Sequence, residues 1–224
     1  MSEKIIAYKA MNPDMTCQGK KYEVGKTYFE DKADCCNAGM HACENPFEVL
    51  RYYPMKDNPR FFEVECGGEI SKSDKGSKLA CTELTVKGEL NFAGMLKATL
   101  DAVFRRVKDK EPFSSGDSST AGTSGYYSTA GTSGDYSTAG TSGYYSTAAA
   151  TGPYCRAKAE GNNSIAVANG YKSKVKGSVG CYLVLTEYDD DGNFLCADLK
   201  FVDGISIKAD TWYMLKDGLA VESE

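Results

Sequence analysis

The sequence predicts an α+β domain over residues 1–112, a β-solenoid of nine-residue repeats over 113–178, and a β-rich hairpin cap over 179–224. Three observations predict it. Short segments of alternating polarity and one stretch of helical period fill the first part. A glycine recurs every nine residues from Gly116 to Gly170. Asp191-Gly192 and Asp217-Gly218 each divide two strand-like runs, which marks hairpins.

In the first part, "KIIAYKAM" (4–11) reads as a strand. "KKYEVGKTYFE" (20–30) alternates on both sides of Val24-Gly25 and predicts a hairpin. "ENPFEVLRYYP" (44–54) predicts a short helix, with Asn45 as N-cap, Pro46 at the first helical position and Pro54 ending it. "RFFEVECGG" (60–68) and "LACTELTVKG" (79–88) are strands: Phe62, Val64 and Cys66 alternate with Glu63 and Glu65, and Thr82, Leu84 and Val86 alternate with Glu83, Thr85 and Lys87. "NFAGMLKATLDAVFRRV" (91–107) is a helix capped by Asn91. Phe92, Met95, Leu96, Thr99, Leu100, Val103, Phe104 and Val107 fall on one stripe, read as core.

The repeat has seven units, each opened by glycine. Three residues on stand Ser119, Ser128, Ser137, Ser146, Cys155, Ser164 and Ser173. Small residues follow at alternate positions, so these columns share one face of a short strand. In "CRAKAE" (155–160) the charged Arg156, Lys158 and Glu160 must face out, which puts Cys155, Ala157 and Ala159 inside. Each unit is therefore a short strand followed by a glycine turn, and stacked units bury a narrow core without room for Leu or Phe. The residue after glycine runs Asp117, Tyr126, Asp135, Tyr144, a second period of eighteen. That predicts two units per rung, three to four rungs, and tyrosines stacked in outer columns; Pro153 and Asn162 interrupt it. A flexible Gly/Ser linker is the rival reading, but linkers have no reason to keep Ala and Gly in phase. The large apolar residues missing from the repeat return beyond it, as Leu183, Leu185, Phe194, Leu195, Phe201, Trp212 and Leu215, to cover the open end.

Charge and composition exclude several classes. The formal net charge is −5, and the nearest basic run, "FRRVKDK" (104–110), is diluted by its own acid, which argues against nucleic acid or an anionic membrane as partner. No apolar run approaches the ~18 residues that span a bilayer. "MSEKIIAYKAMNPDM" lacks a signal-peptide core, so a cytoplasmic protein is expected, its nine cysteines largely free thiols.

"GMHACENPFEVLRYYP" (39–54), with "RFFEVECGGEI", "SKLACTELTVKGEL" and the later "IKADTWYMLKDG" (207–218), resembles an uncharacterised domain family found mainly in phage and prophage proteins. The resemblance implies a viral or mobile-element origin and a bacterial host cell. "GNNSIAVANGYKSKVKG" (161–177) is similar to the head repeats of trimeric autotransporter adhesins, which implies a solenoid and self-association.

Chemistry has two candidate readings. Cys17, Cys36, His41 and Cys43, with Cys35 beside them, are ligand-type residues for a Cys₃His zinc site; their spacing matches no zinc knuckle, and ordinary buried thiols are the competing reading. The order of strand, Gly-x-His-x-Cys, helix ending in Tyr-Tyr, and strands also looks like a distant ADP-ribosyltransferase layout. That resemblance implies NAD as cofactor, His41 in the aromatic stacking position, Glu83 as the glutamate on the ribose, and Tyr8 or Lys9 at the first-strand position. The competing reading of Glu83 is a solvent-facing strand residue. Outside that alternative no cofactor is expected.

The leading expectation is a binding protein without catalysis. The exposed tyrosines Tyr126, Tyr127, Tyr136, Tyr144 and Tyr145 are its candidate contact surface for a host protein or a second copy. The phage-type resemblance implies an accessory protein, with inhibition of a bacterial defence system as one concrete form. The alternatives are the NAD-binding transferase and a structural or assembly component of a virion.

Overall fold

The structure, a computed structural model, describes residues 4–74, 76–108 and 113–224. It divides into two compact units, Met1–Ala102 and Val103–Glu224. The first is a mixed α/β domain and the second contains the solenoid.

The first unit carries β1 (Ile5–Met11), β2 (Thr16–Cys17), β3 (Lys20–Lys21), β4 (Thr27–Phe29), β5 (Met40–Cys43), β6 (Arg60–Lys72) and β7 (Lys78–Leu90). β6 and β7 form a long antiparallel hairpin, from Phe61 opposite Leu90 to Lys72 opposite Leu79. β1 pairs with β6 and β5 with β7. β1 and β5 meet at one register position, Tyr8 opposite Cys43, which closes the sheet into a ring. Phe62, Val64, Leu79, Leu84 and Val86 fill it, each at 0% exposure. Burying side chains of this size contributes about 1.5–3 kcal/mol apiece. The inward positions switch parity between Cys81 and Leu84, where the hairpin register shifts. Gly68 takes φ +70° there, and the Thr82 hydroxyl accepts the Glu69 N–H at 2.9 Å. Thr82 therefore does not continue the inward column of Leu84 and Val86.

The hairpin expected over 20–30 does not form. Lys20 and Lys21 pair with Cys17 and Thr16, while Thr27–Phe29 pairs with Thr85, Leu84 and Glu83 of β7. The turn at Gly25 exists, but β7 offers a long strand edge that a three-residue strand completes better than a two-residue partner. The helix after Pro46 is a 3₁₀ helix, Pro46–Arg51, followed by a second over Met55–Asp57. Asn45 holds the N-cap position with extended backbone and no side-chain capping bond.

Helix α1 (Phe92–Lys108) begins as predicted: Asn91 Oδ1 accepts the Gly94 N–H at 2.8 Å. Met95, Leu96, Thr99, Leu100 and Val103 are buried along its stripe. The side chain of Val107 lies outside those described, and so do residues 109–112, where the expected boundary at 112 falls.

The second unit stacks β8 (Phe113–Ser115), β10 (Thr129–Ser133), β12 (Thr147–Thr151), β14 (Ile165–Asn169) and β16 (Tyr182–Tyr188) in one sheet, ended by β17 (Phe194–Phe201). The other sheet stacks β9 (Thr120–Thr123), β11 (Thr138–Thr141), β13 (Arg156–Ala159) and β15 (Lys174–Gly177), ended by β18 (Tyr213–Lys216) and β19 (Leu219–Glu222). Neighbouring repeat strands are parallel and in register at eighteen residues, as in Ala139 opposite Ala157 and Ala157 opposite Val175. Two nine-residue units thus make each rung, and four rungs stack. Both predicted hairpins form, β16 with β17 and β18 with β19. Asp217 and Gly218 both take positive φ (+52° and +73°), the conformation of a tight hairpin turn.

The inward serines form a ladder. Ser146 Oγ donates to Gly125 O at 3.0 Å and lies 3.2 Å from Ser128 Oγ, while Ser164 Oγ accepts the Ser146 N–H at 2.9 Å. Cys155 takes a serine's place and meets Ser173 Oγ at 3.2 Å. The glycines are explained by close approach: a Cβ on Gly143 would lie 1.9 Å from Gly125 O, and one on Gly161 2.1 Å from Gly143 O. Left-handed backbone recurs two residues after the glycine in every unit, at Ser118, Tyr127, Tyr136, Tyr145, Tyr154, Asn163 and Lys172 (φ +50° to +58°), and Gly116, Gly134 and Gly152 themselves take positive φ (+106°, +127° and +126°). Leu183, Leu185 and Leu215 cover the end as expected. Phe194, Leu195 and Phe201 do not, being about half exposed on the edge strand β17, where Phe201 packs on Tyr182 and Phe194 on Tyr188.

Candidate functional site

Two places gather the residues singled out in the sequence. The first is the solenoid surface. The eighteen-residue register puts Tyr126, Tyr127 and Tyr136 each over the tyrosine one rung on. Tyr126 and Tyr144 stack with ring centres 5.4 Å apart, Tyr127 and Tyr145 at 5.3 Å, and Tyr136 and Tyr154 at 4.9 Å, all within 15° of parallel. Tyr126, Tyr136 and Tyr144 are 68%, 60% and 47% exposed. Tyr127 and Tyr145 are half-buried. Two turn corners thus carry rows of ordered, accessible rings.

The same register builds a feature that the linear sequence hides. Arg156 lies opposite Lys174 and Lys158 opposite Lys176, so four cations form a grid on the outer face of β13 and β15. Trp212 lies beside it, 5.7 Å from the Arg156 guanidinium and 5.0 Å from the Lys176 ammonium. Reading the sequence for runs of charge misses this cluster; reading it at a spacing of eighteen finds it.

The second place is a cavity of about 300 Å³ in the first unit, at the seam where β1 and β5 part beyond Tyr8 and Cys43. Cys17, Cys36, His41 and Cys43 all line it, together with Tyr8, Lys9, Tyr52, Tyr53 and Lys78. His41 Nε2 accepts the Cys36 N–H at 2.9 Å, which holds the tight turn in which Cys36 takes φ +77°. Burial, then the Lys78 and Lys9 ammonium groups, push the His41 pKa down, so the imidazole is neutral and anchors this turn. Tyr53 Oη donates to Cys17 Sγ at 3.0 Å. Burial raises the Cys43 thiol, and it pushes the Cys35 thiol up to about 11, helped by its contact with Cys36, whose sulfur is 3.9 Å away. Among the described residues, no three His, Cys, Asp or Glu side chains are grouped to hold a metal ion. The four residues of the zinc set thus line one cavity without being grouped as a metal site.

For the transferase layout, the cavity unites Tyr8, Lys9 and His41 but not Glu83. Glu83 stands on β7 opposite Phe29 and Gly67, half-exposed, with its carboxylate 4.0 Å from Lys4. No helix among the described residues is long and apolar enough to cross a membrane.

Residues 5–98 match the model of a family described as a domain of unknown function, DUF7666. No curated protein and no solved structure matches the chain. The chain thus carries a segment similar to this domain family, followed by a C-terminal β-solenoid.

Proposed function

We propose that this is a phage- or prophage-encoded accessory binding protein. It acts in the cytoplasm of a bacterial host cell and engages a host protein through the tyrosine rows of its solenoid. Inhibition of a bacterial defence protein is one concrete form of that activity. The observation that carries the reading is the stacking of Tyr126 on Tyr144 and Tyr136 on Tyr154 at exposed turn corners. A stacked ring has already lost its rotamer freedom, so it offers contact area at low entropic cost. Rigid rungs fix the spacing of the rows.

The test is affinity capture of the tagged intact protein from bacterial lysate, read by mass spectrometry. One host protein recovered at near-equal stoichiometry is expected. Replacing Tyr126, Tyr136 and Tyr144 with Ser is expected to abolish that capture without changing the circular dichroism spectrum. Capture that survives the triple substitution would sink the tyrosine surface.

A further inference from the structure

We propose that the cavity of the first unit is a binding site for a small planar organic anion, a flat ring bearing one carboxylate or phosphate group. This goes beyond the protein-binding role assigned to the solenoid.

The cavity carries positive charge without counter-charge. Lys9 is 5% exposed and shares its strand face with Ala7 and Met11, which belong to the core of the ring. Its ammonium donates to the His41 carbonyl at 2.8 Å and lies 5.2 Å from the centre of the Tyr22 ring. The Lys78 ammonium lies 4.5 Å from the centre of the Tyr52 ring. Among the described residues, neither lysine has a carboxylate within 4.0 Å. Among the described residues, the one carboxylate lining the cavity, Glu30, is held by Lys20 at 2.6 Å. Burial, and then the two lysines, keep His41 neutral, so it brings no negative charge.

A buried ammonium group is ordinarily paired, because a carbonyl and a ring face offset only in part what it loses on leaving water. An anion entering the cavity would supply what the chain omits. Tyr52 and Tyr53 give the flat part of such a ligand aromatic surface. The volume suits a small ligand, at the lower end of the range for such pockets.

Isothermal titration of the intact protein tests the site. AMP is the phosphate-bearing probe and benzoate the carboxylate-bearing one; adenosine and benzamide are their neutral counterparts. Saturable binding of at least one anion is expected, with its neutral counterpart weaker by about tenfold or more. Binding by AMP alone assigns the anionic group as phosphate, and binding by benzoate alone assigns it as carboxylate. Lys78→Met, at the partly exposed end of β7, is expected to weaken the anion by about tenfold with the melting temperature preserved. Lys9→Met is the second variant, expected to weaken the anion but not the neutral probe. Three results would each overturn the proposal: no saturable anion binding in the millimolar range, equal binding of anion and neutral counterpart, or unchanged anion binding in Lys78→Met.

Discussion

Phe62 and Ala157 fill the same kind of place by opposite means. Both are at 0% exposure and both sit on a strand facing a core. Around Phe62, an antiparallel ring closes on large side chains, and the energy comes from apolar area removed from water. Around Ala157, parallel strands repeat the same backbone every eighteen residues, and the core is alanine, serine and threonine. There the gain comes from backbone pairing and close approach, and size is a fault. Loss of volume inside is the expected weakness of the first unit, and addition where rungs touch that of the solenoid.

That contrast breaks most visibly at Phe62. Phe62→Ala is expected to cost about 3–5 kcal/mol, read as lost hydrogen-exchange protection of the β6–β7 amides. The solenoid counterpart is a gain of one methyl. Gly143→Ala sets a Cβ 1.9 Å from the Gly125 carbonyl and is expected to cost about 3 kcal/mol, followed in urea by the fluorescence of the single tryptophan, Trp212. Gly140→Ala is its control: a Cβ there meets nothing within 4 Å, and a change within about 0.5 kcal/mol is expected. If both glycine variants behave alike, close rung approach is not what the glycine column is for.

Ser146→Ala probes the internal ladder. It removes one of two hydroxyl donors to Gly125 O, the other being Ser128 Oγ, and also the acceptor of the Ser128 N–H at 3.3 Å, for an expected loss of about 1–2 kcal/mol by the same urea assay. Asn91→Ala in the first unit removes a cap bond of ordinary geometry and is expected to cost about 1 kcal/mol.

The smallest effect expected is on pH dependence. The His41 pKa is depressed in the folded state, so the unfolded chain takes up this proton first as pH falls. The stability due to neutral His41 is present above the ordinary histidine pKa of about 6.5 and is lost as pH falls below it. Protonation also ends acceptance of the Cys36 N–H. His41→Gln is expected to flatten the stability difference between pH 7.5 and pH 5 by a small margin, because the ring is half exposed. An identical pH slope in the variant would remove His41 as the anchor of the 34–38 turn.

Local patterns carried much of the architecture. The nine-residue glycine spacing, the inward Cys155-Ala157-Ala159 face and the eighteen-residue tyrosine period each state a geometry that one strand and one turn already obey, so they were legible without coordinates. So were Asn91 as cap and the Asp217-Gly218 turn. The hairpin at Val24-Gly25 was misread because alternation says that a strand exists but not which edge it joins. The glycine column does open the turns, as Ser119 and Ser173 bonding back to Gly116 and Gly170 show, but its second cause, the carbonyl of the preceding rung, is invisible in the chain order.

The candidate sites divide along the same line. The sequence by itself determined the solenoid, its two units per rung and the identity of the tyrosine rows, because a repeat turns sequence distance directly into spatial distance. Only the tertiary structure decided that Cys17, Cys36, His41 and Cys43 line one cavity with Lys9 and Lys78, and that Glu83 stands away from it. Those residues come from strands and turns far apart in the chain, and their meeting depends on how β1, β5 and β7 pair, which no local period encodes.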